Sequence, residues 1–151
     1  MPDYSKACIY IIKKQDDYDN KNVYIGSCCN FIKRKCDHKH SCNNENNKRH
    51  NFKLYKHIRE NSGWNSWCMT KIIDYPCNSK SELNTMERSY IDNYKSKLNC
   101  QIPTRTKEEW YNDNRDKIKQ YNIDNRDKKK QYNIDNKDKI KQYRIDNKDK
   151  I

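Results

Sequence analysis

Apolar residues are concentrated in residues 1–104, and their spacing sets out the elements. Cys8-Ile9-Tyr10-Ile11-Ile12 is an unbroken apolar run of strand length, and Val23-Tyr24-Ile25-Gly26-Ser27 is a second. Lys14 to Lys21 forms a charged connection between them, so 8–13 and 22–26 read as a hairpin with a longer than minimal turn. Asn30 is a good N-cap for a helix that runs to about His38. Ser41 to Arg49 is polar and Asn-rich, the composition of a surface loop. A second helix fits Asn51 to Asn61, with Phe52, Leu54, Tyr55 and Ile58 as its apolar set and Gly63 as a stop. Trp67 to Tyr75 reads as a third strand ended by Pro76.

Ser79-Lys80-Ser81-Glu82 has the capping-box pattern and opens a third helix. At about 100° per residue, Leu83, Met86, Tyr90, Ile91 and Tyr94 form one apolar stripe, and Glu87 falls inside it. An unpaired carboxylate buried there is costly. A salt bridge to a helix neighbour explains it on structural grounds, and a metal or substrate ligand explains it on functional ones. The expected fold is α/β (α+β), a small three-stranded antiparallel sheet flanked by helices.

Composition changes sharply after residue 104. Hydrophobic content is only 32% overall, and residues 105–151 are almost wholly Lys, Asp, Asn, Arg, Tyr, Gln and Ile. The stretch Tyr121-Asn122-Ile123-Asp124-Asn125-Arg126-Asp127 recurs from Tyr132 and again from Tyr143. An 11-residue period suits a long helix, whereas Asn and Asp are poor helix formers, so a marginal helix or a disordered arm is expected. The chain thus divides into a domain at 1–104 and a basic tail at 105–151.

The net charge is +12. Counting Lys and Arg against Asp and Glu gives 18 − 11 = +7 for residues 1–104 and 15 − 10 = +5 for the tail. Both parts attract a polyanion, of which nucleic acid is the commonest. Tyrosines interleaved with Lys and Arg in the tail suit base stacking and phosphate contact. A solvated low-complexity extension is the plainer reading of the same residues. The sequence contains no long apolar run and no signal peptide, so no membrane association is expected. An intracellular protein is predicted, with its eight cysteines reduced. Oligomeric state is not readable from the sequence.

Five separated residues carry the candidate chemistry: Tyr10, Tyr24, Arg34, His38 and Glu87. Arg34 and His38 are i and i+4 on one helix face, where both could point at one phosphate. Phosphodiester hydrolysis needs an activated water, charge neutralisation and help for the leaving oxygen. Arg34 offers a planar fork of donors to phosphate oxygens. A tyrosine can take the water's proton only if nearby cations lower its pKa from about 10. Magnesium often uses only one or two carboxylates, so Glu87 alone is enough. Cys36, His38, His40 and Cys42 form a competing set, but a spacing of two scatters side chains around a helix and does not match structural zinc sites.

The order and spacing of these motifs resemble the GIY-YIG nuclease family. The first motif stands here as Cys8-Ile9-Tyr10 and the second as Tyr24-Ile25-Gly26, followed by Arg34-x-x-x-His38, the acid helix Met86 to Ile91, and Leu98-Asn99. Cys8 replaces the family's first glycine, a small residue in a strand, with little harm expected to the fold. The resemblance covers residues 8 to 104 and implies a metal-dependent DNA endonuclease using Mg²⁺ or Mn²⁺. The alternative is a non-cleaving nucleic-acid-binding module on the same fold. The resemblance also implies Glu87 as metal ligand and catalytic roles for Tyr10 and Tyr24, with Tyr24 favoured as base. His38 would orient Tyr24 or shuttle its proton, and Asn99 would support the metal site. Repeated tails of this kind look like those on GIY-YIG proteins of large DNA viruses, which implies the cytoplasm or nucleus of a host cell.

Overall fold

The computed structural model describes residues 1–20 and 22–147. Lys21 of the hairpin connection, and Lys148 and Asp149 of the last repeat, lie outside the described residues. The chain separates into two compact units, Met1–Thr104 and a second beginning at Arg105.

The first unit is built on a three-stranded antiparallel sheet in the order β2-β1-β3. Its strands are β1 (Cys8–Lys14), β2 (Tyr24–Cys28) and β3 (Trp67–Asp74). The apolar run Cys8 to Ile12 becomes the central strand, and all five of its residues are buried. That position explains the lack of alternation, because both faces of β1 are covered. Tyr10 and Ile12 join a cluster with Cys42, Leu54, Tyr55, Ile58 and Trp64. Ile9 and Ile11 join a second with Val23, Ile25, Leu83 and Ile91. The first cluster is closed by α1 (Phe31–Asn43) and α2 (Lys53–Glu60), and the second by α3 (Lys80–Tyr94). The β1–β3 register slips between Ile9 and Tyr10, so Ile9 faces Ile73 while Tyr10 faces Lys71.

The caps form at the expected residues. Asn30 accepts from the Lys33 amide and Ser79 from the Glu82 amide. Two local expectations need correction. Helix α1 does not stop near His38 but continues to Asn43, because its last turns bury Ser41 and Cys42. The loop expected from Ser41 therefore begins only after Asn43. Phe52 is the N-cap of α2 rather than a core residue, and it is 55% exposed.

Asn99, beyond α3, closes the outer edge of β2. Its amide nitrogen donates to the Ile25 carbonyl at 2.7 Å and its oxygen accepts from the Ile25 amide at 2.9 Å. Ser96 donates to the same oxygen at 2.5 Å and orients it. One side chain thus does the work of a strand neighbour for the residue between Tyr24 and Gly26.

The second unit consists of α4 (Lys107–Asp135) and α5 (Lys137–Asp146), neither of which buries a residue. With no core to hold them, local bonds carry the helices. Thr106 and Glu109 form a full capping box. In each repeat a glutamine donates to an aspartate four residues on: Gln120 to Asp124 at 2.8 Å, Gln131 to Asp135 at 2.7 Å, and Gln142 to Asp146 at 2.8 Å. Each such pair contributes about 0.2–0.5 kcal/mol, offsetting part of the poor propensity of Asp and Asn.

Asn99→Ala removes both bonds to Ile25 and leaves two backbone groups to find new partners. It is expected to lower the stability of the first unit by about 1–3 kcal/mol. Urea unfolding followed by tryptophan fluorescence checks this, and an unchanged midpoint would show the clamp to be dispensable.

Candidate active site

The site begins with a close approach of two strands. Tyr10 on β1 lies directly opposite Gly26 on β2. A Cβ on Gly26 would meet the Tyr10 hydroxyl oxygen at 2.4 Å and its ring carbon Cζ at 2.5 Å. Gly26 is therefore required for space: its bare backbone lets the phenol lie across the neighbouring strand.

Tyr10 is fully buried, at 0% exposure, so its hydroxyl must be satisfied from within. Arg34 Nε donates to it at 3.0 Å, and His38 Nε2 lies 2.8 Å away. On its other side, His38 Nδ1 lies 2.9 Å from the Tyr55 hydroxyl. Since the Tyr10 oxygen already accepts from Arg34, its own proton is satisfied by donating to Nε2. Neutral His38 then carries its hydrogen on Nδ1 and donates to Tyr55. The buried chain runs Arg34 to Tyr10 to His38 to Tyr55. A second proton on His38 is opposed by burial and by the positive charges of Arg34 and Arg49, which lower its pKa from 6.5 to about 3.

Tyr24 stands next to this chain, its ring 6.4 Å from that of Tyr10 and 5.7 Å from that of His38. Unlike Tyr10 it is only half-buried and opens onto a cleft of about 380 Å³. Arg34, Arg49, Lys53, Tyr55 and Gln101 also line the cleft, and no carboxylate does. An anion is the ligand such a wall favours. Burial raises the Tyr24 pKa, while the charge of Arg34 acts against that rise.

Glu87 approaches from α3. Its Oε2 accepts from the Ser27 hydroxyl at 2.5 Å. Burial raises its pKa, opposed by the Ser27 bond and by Arg34. Glu87 and Arg34 thus lie within electrostatic reach of each other, and both act on Tyr24. Among the described residues no group of three or more His, Cys, Asp or Glu side chains comes together as a metal cage. The donor chemistry nonetheless suits a hard divalent ion, which can be held through a single carboxylate with substrate phosphate oxygens as further ligands.

Tyr10, Tyr24, Arg34 and His38 therefore come together, with Glu87 at their flank. Three expected details differ. Arg34 and His38 do share a helix face, but His38 is only 1% exposed and both its nitrogens are engaged within the protein, so it does not offer itself to a phosphate. Its hydrogen bond goes to Tyr10, whereas Tyr24 meets it through ring contact alone. Asn99 spends its amide on Ile25, so it acts on the site by holding the Tyr24 strand rather than as a direct metal support. Of the competing Cys and His set, His38 and Cys42 are buried while Cys36 and His40 are exposed, as alternate residues on a helix must be.

Several site residues carry no sequence signal as strong as the motifs. Tyr55 reads as one of four apolar residues on α2, although a buried phenol always needs a partner for its hydroxyl. Arg49 sits in a polar, Asn-rich stretch and Lys53 starts a helix legible only by its apolar set, and only the fold brings them to the cleft.

A family model described as the GIY-YIG catalytic domain matches residues 6–99, most of the first unit. No curated protein and no solved structure matches the chain.

The state of His38 gives a pH test. Its native pKa lies below the unfolded value, so the unfolded chain takes up a proton that the native protein refuses. Stability is then full above pH 6.5 and falls as the pH drops toward about 3, with a slope approaching about 1.4 kcal/mol per pH unit in between. Glu87, raised by burial, works in the opposite sense above its ordinary range. Direct observation avoids that overlap: the His38 ring resonances in NMR are expected to stay fixed from pH 8 down to about pH 4.5. A His38 midpoint near 6.5 would contradict the buried, neutral assignment.

Proposed function

The chain belongs to the GIY-YIG family, and from that membership we propose that it is a metal-dependent DNA endonuclease that hydrolyses phosphodiester bonds. The observation that carries the reading is the anchored guanidinium of Arg34. Tyr10 holds its Nε from inside the protein, and the same arginine lines a cleft that no carboxylate lines. A phosphate there meets a charge whose position is set before the substrate arrives.

The roles follow from burial. Tyr10 has no exposure and its hydroxyl is engaged twice, so it positions Arg34 rather than touching water. Tyr24 faces the cleft and is the general base. Its phenolate takes a proton from water as the water oxygen bonds to phosphorus. The bond from phosphorus to the leaving oxygen breaks, and that oxygen is protonated from solvent. Arg34 stabilises the negative charge that builds on the phosphate oxygens. Neutral His38 accepts from Tyr10 and fixes the hydroxyl to which Arg34 is tied. Glu87 would hold Mg²⁺ or Mn²⁺, which when bound supplies charge neutralisation and help for the leaving group. Asn99 keeps the Tyr24 strand in register.

In this reading residues 1–104 are the nuclease domain and residues 105–151 a basic tail. The repetitive tail also favours a member from a large DNA virus, acting in the cytoplasm or nucleus of its host. Within the described residues no helix is long and apolar enough to cross a membrane.

Plasmid DNA incubated with Mg²⁺ is expected to be cut, and EDTA to stop it. Glu87→Gln should abolish Mg²⁺-dependent cutting while leaving DNA binding in place. Arg34→Ala should slow cutting by about 10²–10³-fold or more, the scale set by removing a transition-state donor. Binding without any cutting by the wild type, in Mg²⁺ or Mn²⁺, would instead identify a non-cleaving module on the same fold.

The base assignment adds a pH profile. Burial raises Tyr24, so the phenolate is a minor form at neutral pH. The single-turnover rate should rise about tenfold per pH unit from pH 6 to 8.5, a slope set by a base titrating well above that range. Tyr24→Phe should cost about 10²–10⁴-fold. A rate independent of pH across that range would remove Tyr24 as base.

A further inference from the structure

The charges of the second unit are not mixed evenly around its helices. With Arg115 at the origin and about 100° per residue, Lys119, Arg126, Lys129 and Lys130 of α4 fall within about 60° of it. Asp113, Asp116, Asp124, Asp127 and Asp135 all fall between about 100° and 200°. From Tyr111 onward no carboxylate shares the basic arc. Helix α5 groups Lys137, Lys141 and Arg144 within about 60° of one another, with Asp138 bordering Lys141 and Asp146 farther round. A shallow groove on α4 is lined by Tyr111, Arg115, Ile118, Lys119, Asn122, Ile123 and Arg126, without an acid.

Helix stability does not require the like-charged pairs on this arc. A solvated helix gains from opposite charges at i and i+4 and loses a few tenths of a kcal/mol from like ones. Here Arg115 precedes Lys119, Arg126 precedes Lys130, and Lys137 precedes Lys141, each at i and i+4. The like-charged pair recurs with the 11-residue repeat, and the opposite-charge pairs Asp113–Lys117, Asp124–Lys128 and Asp135–Lys139, also at i and i+4, use lysines that lie off this arc. Of the carboxylates off the arc, Asp124, Asp135 and Asp146 are bonded to glutamines and Asp113 pairs with Arg105. An ion pair does touch the basic arc, Arg126 Nε to Asp127 at 3.5 Å, but both groups are largely exposed and such pairs contribute little.

We infer that α4 and α5 present a carboxylate-free ribbon of Arg115, Lys119, Arg126, Lys130, Lys137 and Lys141 that tracks the backbone of duplex DNA. Charge complementarity selects the partner. A ligand on the ribbon meets cations directly, while Asp116 and Asp127 border the arc and Asp124 and Asp135 lie across a helix about 10–12 Å wide. That distance is about one Debye length at 0.1 M salt, so the repulsion of the far pair is screened. Successive basic pairs are about 16.5 Å apart along a helix, from 11 residues at about 1.5 Å each. Asn122 and Asn133 fall within the same arc and add neutral donors for phosphate oxygens.

The test compares two full-length variants of equal net charge. One carries Arg115→Gln, Lys119→Gln and Arg126→Gln on the ribbon. The other carries Lys117→Gln, Lys128→Gln and Lys139→Gln, which repeat at 11 residues outside it. Binding to a labelled duplex oligonucleotide is measured in EDTA by anisotropy across a salt series, so the result does not depend on cleavage. All six positions are exposed and Gln suits a helix, so circular dichroism should be unchanged. The ribbon variant should reduce the slope of log affinity against log salt by about 0.9 for each phosphate that is no longer neutralised, about two to three units in all. The other should change it by less than about one unit. An equal reduction in both would mean that only net charge matters, and no reduction in either would mean that the tail does not meet DNA; each result overturns the ribbon.

Discussion

A single buried hydroxyl on the central strand ties this fold to its chemistry. The Tyr10 oxygen accepts from Arg34 and donates to His38, and nothing outside the protein can replace either bond. An unsatisfied buried hydroxyl costs about 1–3 kcal/mol, so the core itself enforces the geometry of the guanidinium. The same constraint explains three other residues. Gly26 must lack a Cβ, His38 must stay neutral, and Tyr55 must take the far nitrogen of the imidazole. Placement of the Arg34 guanidinium and satisfaction of the core are one network, so the guanidinium is held in position without needing a rigid surface.

The fold was legible because its signals are local. An unbroken apolar run marked the central strand, and Asn30 and Ser79 marked helix starts through hydrogen bonds to residues three positions on. Those signals fail where tertiary burial takes over. Helix α1 runs on through Ser41 and Cys42 because the core accepts them, which a polar-looking segment does not announce. The motif residues were legible as residues but not as partners. Sharing a helix face suggested that Arg34 and His38 could point at one phosphate, yet His38 is buried with both nitrogens engaged while Arg34 lines the cleft. Asn99 shows the same limit, since its bonds to Ile25 span a separation of 74 residues.

Cys8 stands where the resemblance expects glycine, and its surroundings show why the strand tolerates it. It is fully buried opposite Cys28, with the two sulfurs 3.7 Å apart. Burial raises both thiols, that of Cys28 to about 12, so each remains protonated and behaves as a small apolar group. The space demand that Gly26 meets for Tyr10 is absent here: the residue opposite Cys8 is another small one.

Charge is organised differently in the two units, and the difference follows from what each can bury. In the first, the sheet and three helices exclude water, so a few cations gain strength from their surroundings. Arg34 acts beside a half-buried phenol and a neutral imidazole, where a charge is worth more than in bulk solvent. Helices α4 and α5 of the second unit bury no residue, and their charges are screened within about 10 Å. An exposed helix can then build a directed field only by repetition, setting bases along one arc and acids along another. The 11-residue period does this because it returns to nearly the same angle after three turns, drifting by only about 20°.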